Sequence, residues 1–422
     1  MHAPLLAALV AIAPARLDSA EVVRLLTLLR AGDSTVCELA GQALTNNFGW
    51  GRGTLSMPMP RPTPTPTPMP GGGGGGGHLM GDIMHRDHVG DPRDAAVLGA
   101  YRSFMRDDNR CVRNIAARVL GNSGARGTYE LFQGMLRDPK PGLRETGALG
   151  LGELEDARAI GPLGDALGDA DVAVRRTAAW ALGEIEEPVA IDPLTKALRD
   201  PAPEVRATAA WALGEIENVR AVRPLSTVLD DPSLDVRLAA VWALGEIEDA
   251  SAVAVIMPAL QDREARVRQA AAWALGEIES SQGVTALAPL VKDPSVDVRR
   301  TALWAIGEIE SANGVAVAAA ALKDADPEVR VVACWALGEI EDDSAVEPLV
   351  AALKDPDIDV RVTAAWALGE IESPLALAGL RAAQQDESAA VRRTATWALR
   401  QIDDEDQPNV RVRPRPRVKV KL

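Results

Sequence analysis

Apolar residues recur with the period of an α-helix along most of this chain. Advancing about 100° per residue from Val174 brings four more small or apolar residues onto one stripe: Ala178, Ala181, Leu182 and Ile185. Thr177, Trp180 and Glu184 fall on a different side of the same helix. The pattern predicts an amphipathic helix with a core stripe and, apart from it, a side that carries the tryptophan.

The same pattern returns every 31 residues, and a tryptophan marks each return. Seven of the eight tryptophans stand in the phrase Trp-Ala-(Leu/Ile)-Gly-Glu-Ile-Glu. Self-similarity at a fixed period of about 20 to 50 residues is typical of stacked arrays, in which each unit buries its apolar face against its neighbours. The eight positions are Trp180, Trp211, Trp242, Trp273, Trp304, Trp335, Trp366 and Trp397.

One unit reads as two helices joined by a turn. The first helix is expected from Ile191, with Pro193 in its first turn, where a missing N–H costs little. Asp200-Pro201 closes that helix. The second helix runs on to Glu217, and Gly214 lies near its end, where glycine is a common C-cap.

Two charged residues keep fixed places around the inter-helix turn. An Asp and an Arg each recur in ten units, which predicts ten helix pairs and a ladder of charge-assisted hydrogen bonds between successive turns. The Asp positions are 107, 138, 169, 200, 231, 262, 293, 324, 355 and 386. The Arg positions are 113, 144, 175, 206, 237, 268, 299, 330, 361 and 392.

The chain outside the repeats divides into segments of different composition. Ser19 or Asp18 is expected to cap a front helix, and a Pro/Thr-rich and Gly-rich stretch follows as a linker. The expected segments are 1–15 as a secretory signal or a first helix, 16–47 as a helical hairpin, 48–90 as the linker, 91–402 as the repeats and 403–422 as an acidic-then-basic extended tail.

The charge is uneven, and it bears on the class of partner. The chain has a formal charge of −15, but residues 407–422 hold six bases and no acid, which leaves 39 bases against 60 acids in the rest. An acidic body repels phosphate, so we expect no nucleic acid on the repeats. No apolar run reaches the roughly 18 residues of a membrane span. The sequence leaves open whether the protein is cytoplasmic or exported.

Residues with catalytic or metal-binding chemistry are few. The three cysteines, Cys37, Cys111 and Cys334, are too far apart to predict a disulfide framework, and Cys334 is expected to be a small buried hydrophobe. The histidines near residues 78–88 match no defined metal spacing. We therefore expect no catalytic residue, no metal and no cofactor.

The repeat phrase resembles a known family. Val-Arg-x-x-Ala-x-x-Ala-Leu-Gly-x-Ile, preceded by Pro-Leu-x-x-Ala-Leu-x-Asp, is similar to the short HEAT-like repeats of the bilin-lyase type. The resemblance implies an all-α fold, a right-handed α-α superhelical solenoid of about ten helix pairs. It also implies that the second helices line the concave surface. An acidic row would then lie beside the tryptophans: Glu153, Glu184, Glu215, Glu246, Glu277, Glu308, Glu339 and Glu370.

Two interpretations of the tryptophans stay open: they seal the stack of repeats, or they form a binding groove with the glutamates. The groove interpretation predicts a non-catalytic scaffold for a protein or peptide partner with basic residues. The chain's own basic tail, in the same or a neighbouring molecule, is a second candidate occupant. The alternatives are a bilin-lyase-like accessory enzyme, whose pocket would lie near Tyr101, Tyr129 and Phe132, or a regulatory region of a larger assembly.

Overall fold

The computed structural model describes residues 18–30 and 95–403. The predicted signal segment, the second helix of the predicted hairpin, the whole linker, the histidines and the basic tail lie outside these residues. The described chain forms two compact units, of which the first comprises residues 18–30 and 95–224 and the second residues 225–403. The all-α helix-pair fold predicted from the sequence is confirmed, with ten pairs following a front helix, α1.

The first unit alternates first helices, which have even numbers, with second helices, which have odd numbers. Each second helix packs against the one before it and the one after it within the unit, and each first helix packs on its own second helix. The helices are α1 Ser19–Leu29, α2 Ala95–Ser103, α3 Arg110–Asn122, α4 Thr128–Met135, α5 Pro141–Glu153, α6 Ile160–Ala166, α7 Val172–Glu184, α8 Ile191–Ala197, α9 Pro203–Glu215 and the start of α10 Val222–Ser226.

The second unit repeats this arrangement. Every second helix except the last has 13 residues. The helices are α11 Leu234–Glu246, α12 Ala252–Ile256, α13 Ala265–Glu277, α14 Gln282–Leu287, α15 Val296–Glu308, α16 Val315–Ala321, α17 Pro327–Glu339, α18 Val346–Ala352, α19 Ile358–Glu370, α20 Leu377–Ala383 and α21 Ala389–Asp403.

The core lies between the two layers of helices. In α7 the predicted stripe from Val174 to Ile185 is buried, and the small alanines let neighbouring second helices approach closely. Cys334 occupies an alanine position of this kind and is a buried free thiol, as predicted. Burial also raises the pKa of this thiol.

The front helix α1 packs against the first repeat. Asp18 is its N-cap and forms a capping box with Glu21. At its other end, Arg30 pairs with Asp107 and lies 5.2 Å from the centre of the Phe104 ring. Helix α1 therefore covers the apolar side of the first pair, α2 and α3.

The spacing of the cysteines predicted no disulfide framework, yet Cys111 is disulfide-bonded. Its partner lies outside the described residues. Distance along the sequence was a poor guide, because the entropy of closing a loop grows only with the logarithm of its length. The front of the chain, moreover, returns to the first repeat through α1.

Candidate partner-binding face

The Arg–Asp ladder predicted from the two registers is confirmed except at its first step, where Asp138 pairs with Arg106 instead of Arg113. Arg268 Nε donates to Asp293 Oδ2 at 2.7 Å, and its Nη2 donates to Oδ1 at 2.9 Å. Its Nη1 donates to the carbonyl oxygen of Asp262 at 2.9 Å, so one guanidinium joins two turns. Equivalent pairs join Arg144 to Asp169, Arg175 to Asp200, Arg237 to Asp262, Arg299 to Asp324, Arg330 to Asp355 and Arg361 to Asp386.

The ladder charges stabilise one another. Burial on its own raises the pKa of Asp293, but hydrogen bonds from Arg268 and from the backbone of Ser295 outweigh it and hold that pKa below its ordinary value. The same balance lowers the pKa of Asp200 and Asp355. These carboxylates have their acceptors occupied within the fold, which makes the ladder a structural feature.

The opposite end of each second helix is arranged differently. Helix α7 packs against α5 and α9 at its flanks and against α6 on a third side. The residues on its remaining side are half-buried: Ala173, Arg176, Trp180 and Glu184. We call this side of a second helix the open face. It holds the tryptophan and the first glutamate of the repeated phrase.

The tryptophans contribute directly to stacking. A Cβ placed on Gly307 would lie 2.6 Å from Trp335 Cζ3, and a Cβ on Gly276 would lie 2.8 Å from Trp304 Cζ3. Each ring edge thus occupies the space that glycine leaves on the preceding second helix. The same contact joins Gly152 to Trp180, Gly183 to Trp211, Gly245 to Trp273, Gly338 to Trp366 and Gly369 to Trp397.

This contact corrects the role expected for Gly214. The residue lies inside α9, before the C-cap Ile216. The residue in left-handed conformation after this helix is Glu217, with φ 47°. Glycine recurs in the phrase because a side chain on the equivalent Gly183 would clash with Ala212, at 2.8 Å between Cβ atoms.

Left-handed backbone recurs at the second glutamate of every phrase. The eight residues have φ between 47° and 53°, a region that costs a residue with a Cβ about 1–2 kcal/mol. The repeat pattern places these residues at helix ends, but it does not predict their left-handed conformation, because that position normally favours glycine. They are Glu155, Glu186, Glu217, Glu248, Glu279, Glu310, Glu341 and Glu372.

The predicted site tryptophans are covered to different degrees. Trp211, Trp273 and Trp304 are 9%, 5% and 7% exposed, and Trp180, Trp242, Trp335, Trp366 and Trp397 are half-buried. Trp304 Nε1 is buried without a hydrogen-bond partner among the described residues. Trp273 Nε1 also lacks a well-formed hydrogen bond there, yet it lies close enough to Glu277 to lower the pKa of that carboxyl group.

The predicted site glutamates are all half-buried: Glu184, Glu215, Glu246, Glu277, Glu308, Glu339 and Glu370. In the second unit, burial and, after it, the carboxylates of Glu339 and Glu277 together raise the pKa of Glu308 to about 7. The pKa of Glu277 is also raised, first by burial and then by the carboxylate of Glu248. These carboxylates repel one another from repeat to repeat.

The first repeats provide a contrast. Glu153 occupies the equivalent place on α5, and burial raises its pKa. Arg118 Nε lies 3.4 Å from its Oε1, and Asn122 donates to its Oε2 at 3.0 Å. Its charge is therefore balanced within the fold.

The residues named for an alternative enzyme pocket belong to the packing of the first unit. Tyr101 and Phe132 are fully buried, and Phe132 lies over Gly150. Tyr129 stacks on the Arg158 guanidinium and donates from its hydroxyl to the Arg158 carbonyl oxygen. Within residues 18–30 and 95–403, no helix is long and apolar enough to span a membrane, and no group of three or more His, Cys, Asp or Glu side chains is placed to hold a metal.

Comparisons with known proteins agree on the architecture. A family model described as HEAT repeats matches residues 100–172, 160–234, 222–307, 284–358 and 346–410. No curated protein sequence matches the chain. Importin beta is similar in structure, with a TM-score of 0.57, 14% identity, and coverage of 91% of this chain and 55% of that one.

Two further solved structures are similar to parts or most of the chain. A mutant of Kap121p gives a TM-score of 0.50 at 13% identity, covering 96% of this chain and 49% of its own. The CpcE–CpcF complex of phycocyanin lyase from Nostoc sp. gives 0.34 at 24% identity, covering 58% and 94%. At these identities, the likeness to importin beta and Kap121p concerns the α-solenoid fold alone.

Proposed function

Because the chain belongs to the HEAT-repeat family, we propose that it is a non-catalytic scaffold that binds an extended basic segment of another protein along the open faces of its second helices. A repeat solenoid suits this role, since it presents a long surface built from the same few side chains. The proposed binding residues are the eight repeat tryptophans and the seven glutamates beside them.

The observation that carries this proposal is the row of like charges in the second unit. Glu308 lies between Glu277 and Glu339, and each of these neighbours raises its pKa. A fold gains nothing from repeated carboxylates that repel one another, whereas a cationic partner would turn that repulsion into attraction. The Arg–Asp ladder offers no such opportunity, because its charges are already paired.

The tryptophans have two roles in this proposal. Their ring edges seal the stack against the preceding glycine, as the contacts of Trp335 and Trp366 illustrate. The parts of the half-buried rings that stay exposed would offer flat apolar and cation–π contacts beside the glutamates. The chain's basic tail, residues 410–421, has the composition of a competing occupant.

The test compares two double variants of the full chain with the same change in charge. Glu277→Gln/Glu308→Gln removes two carboxylates from the open face, and Asp343→Asn/Glu347→Gln removes two exposed ones from the first-helix side. We expect the first to weaken binding of a fluorescent oligo-arginine peptide by about 10-fold or more, from about 0.7 kcal/mol or more per charge contact. The second should change it less than twofold.

Fluorescence anisotropy at two salt concentrations provides the measurement. Equal weakening by both variants would mean that the peptide responds to net charge alone, and the proposal would then be wrong. Absence of saturable binding to the unaltered chain would contradict it as well.

A further inference from the structure

Two neighbouring second helices, α17 and α19, carry apolar side chains on the side that holds the tryptophan. On each helix three apolar residues lie one turn apart, at its first, fifth and ninth positions, and all of them are exposed or half-buried. The two helices pack side by side, so these side chains form one surface, which we call the apolar patch. It consists of Pro327, Val331, Trp335, Ile358, Val362 and Trp366.

Packing within the fold does not account for this exposure. Ile358 is 48% exposed, and among the described residues it is the only large apolar residue of a second helix that is exposed. The edge of the Trp366 ring seals the stack beside Gly338, but the rest of the ring stays partly open to solvent. A contiguous apolar surface with polar residues around it is typical of a site where another polypeptide binds.

The patch ends at the next second helix on each side. On α15 the place of the two valines is held by Arg300, which is buried, and Trp304 beside it is nine-tenths buried as well. On α21 the same place is held by Arg393, which is exposed. Helices that pack side by side lie about 8–10 Å apart, and eight residues of a helix span about 12 Å. The patch therefore has room for about two aliphatic side chains.

The basic tail of this chain has a pattern that matches the patch. From Arg417 to Lys421, basic residues alternate with valine. In an extended chain alternate side chains project from opposite sides, and residues two apart are separated by about 6–7 Å. An extended tail would therefore present Val418 and Val420 on one side, at a separation that fits within the patch, and three cations on the other.

Charge favours the same occupant. Glu328 and Asp359 are exposed in the first turns of α17 and α19, at one end of the apolar patch. Residues 407–422 hold six bases and no acid, so the tail is attracted to this acidic surface. Attraction between exposed charges fixes a position poorly, because water and salt screen it. Burial of the two valines would supply the position.

The tail is long enough to reach the patch. Helix α21 ends at Asp403, fifteen residues before Val418. An extended chain spans up to about 3.3 Å per residue, which gives a reach of up to about 50 Å. Helix α19 packs directly against α21, and α17 lies one helix beyond, so the patch begins only about 10–20 Å away.

Building on the proposed function, we infer that Val418 and Val420 bind the apolar patch of the same molecule and hold the basic tail on the open faces of α17 and α19. The tail then covers part of the surface that we assign to the basic partner. A partner that binds there must displace the tail, so the tail regulates access to this part of the solenoid.

Limited trypsin digestion of the full chain tests this inference, because trypsin cleaves after exposed Arg and Lys. Ile358→Ser alters the patch and leaves the tail sequence unchanged. We expect cleavage after Arg417 to be about fivefold faster in this variant, since proteolysis follows the population of the released tail. Mass spectrometry of the released peptide measures the rate. Leu375→Ser removes a 70% exposed apolar side chain from the turn before α20, and this matched control should leave the rate unchanged.

A second variant changes the tail alone and cannot disturb the repeats. Val418→Ser/Val420→Ser should accelerate cleavage after Arg417 as much as Ile358→Ser does, once each rate is divided by that of the free peptide of the same sequence. Equal rates in the unaltered chain and both variants would overturn the inference, as would equal acceleration by Leu375→Ser. Protection that is lost on dilution would place the tail on a neighbouring molecule and contradict binding within one chain. The assay contains no added peptide, so the inference can fail while oligo-arginine binding stands, and the reverse.

Discussion

The two ends of a second helix carry charge in opposite ways. Near the N-terminal end of α13, Arg268 and Asp293 form two parallel hydrogen bonds, and both side chains are largely covered. At the C-terminal end, Glu277 faces other carboxylates and its pKa is raised. Both charges recur with the same period, but the first is paired with the neighbouring repeat, whereas Glu277 and Glu308 lie among like charges. Periodicity alone therefore does not distinguish a structural charge from one available to a partner.

The chemistry of the two ends explains the difference. A guanidinium offers five donors in a fixed fork, so one Arg can serve the Asp of the next turn and the carbonyl oxygens of its own turn. A glutamate at the open face has only acceptors, and its neighbours in the row are also acceptors. The ladder charges are therefore paired within the fold, whereas Glu308 in the row lies among like charges.

Breaking the ladder gives the largest expected effect. Arg268→Ala should lower the free energy of unfolding by about 3 kcal/mol, since it leaves Asp293 covered and unpaired and also removes the bond to the Asp262 carbonyl. Arg268→Lys should recover less than half of this loss, because an ammonium cannot donate the same parallel bonds. Urea unfolding followed by circular dichroism measures both.

Arg263 provides the control for this prediction. Its side chain is 72% exposed and belongs to the same turn. Arg263→Ala should change stability by less than about 0.5 kcal/mol. Equal losses for Arg263→Ala and Arg268→Ala would remove the distinction between paired and exposed charges.

The sequence was sufficient for the features that depend on spacing alone. The period predicted the helix pairs, and the shared register of Arg and Asp predicted the ladder, because residues in register on identical units must meet the same neighbours. The direction of the core stripe on α7 followed from the helical angle. These features follow from the pattern within one repeat and from the constant spacing between repeats, and both can be read from the sequence.

Features that depend on the distance between repeats could not be predicted. The helical angle gave the direction of Trp180 but not what lies against it, so sealing and binding remained equal alternatives. The close approach at Gly183 reversed the role expected of the glycine and moved the left-handed position to Glu186. The disulfide at Cys111 joins it to a residue outside the repeats, which no repeat pattern predicts.

A rise in pH should change stability in opposite directions through the glutamate row and through the Arg–Asp ladder. The pKa of Glu308 is raised from 4.5 to about 7, so the folded state holds this proton more tightly and stability falls as pH rises through that interval. The pKa of Asp293 is lowered from 3.8, so its contribution is present above that value and is lost as pH falls below it. Stability should therefore be greatest on the acidic side of neutrality.

Glu308→Gln tests how much the glutamate row contributes to this pH dependence of stability. It should remove part of the stability loss between pH 4.5 and about 7. At pH 8 it should stabilise the protein by only about 1 kcal/mol, since water screens a half-buried carboxylate. Thermal unfolding at several pH values tests this. A variant less stable than the original at pH 8 would show that Glu308 is compensated within the fold.

The smallest expected effect concerns the left-handed glutamates that flank the row. Glu310 has φ 49° and raises the pKa of Glu308. Glu310→Gly should stabilise the fold by about 0.5–1 kcal/mol, because relief of the left-handed strain exceeds the extra chain entropy of glycine. Glu310→Ala keeps that strain and removes only the charge, so it should gain at most a few tenths of a kcal/mol. If thermal unfolding shows the same gain in stability for both variants, repulsion from the row would account for the whole cost at Glu310. The left-handed conformation would then cost nothing. If glycine gains more, the fold tolerates strain at this position to keep a second carboxylate beside each open face, as the proposed binding of a cationic partner requires.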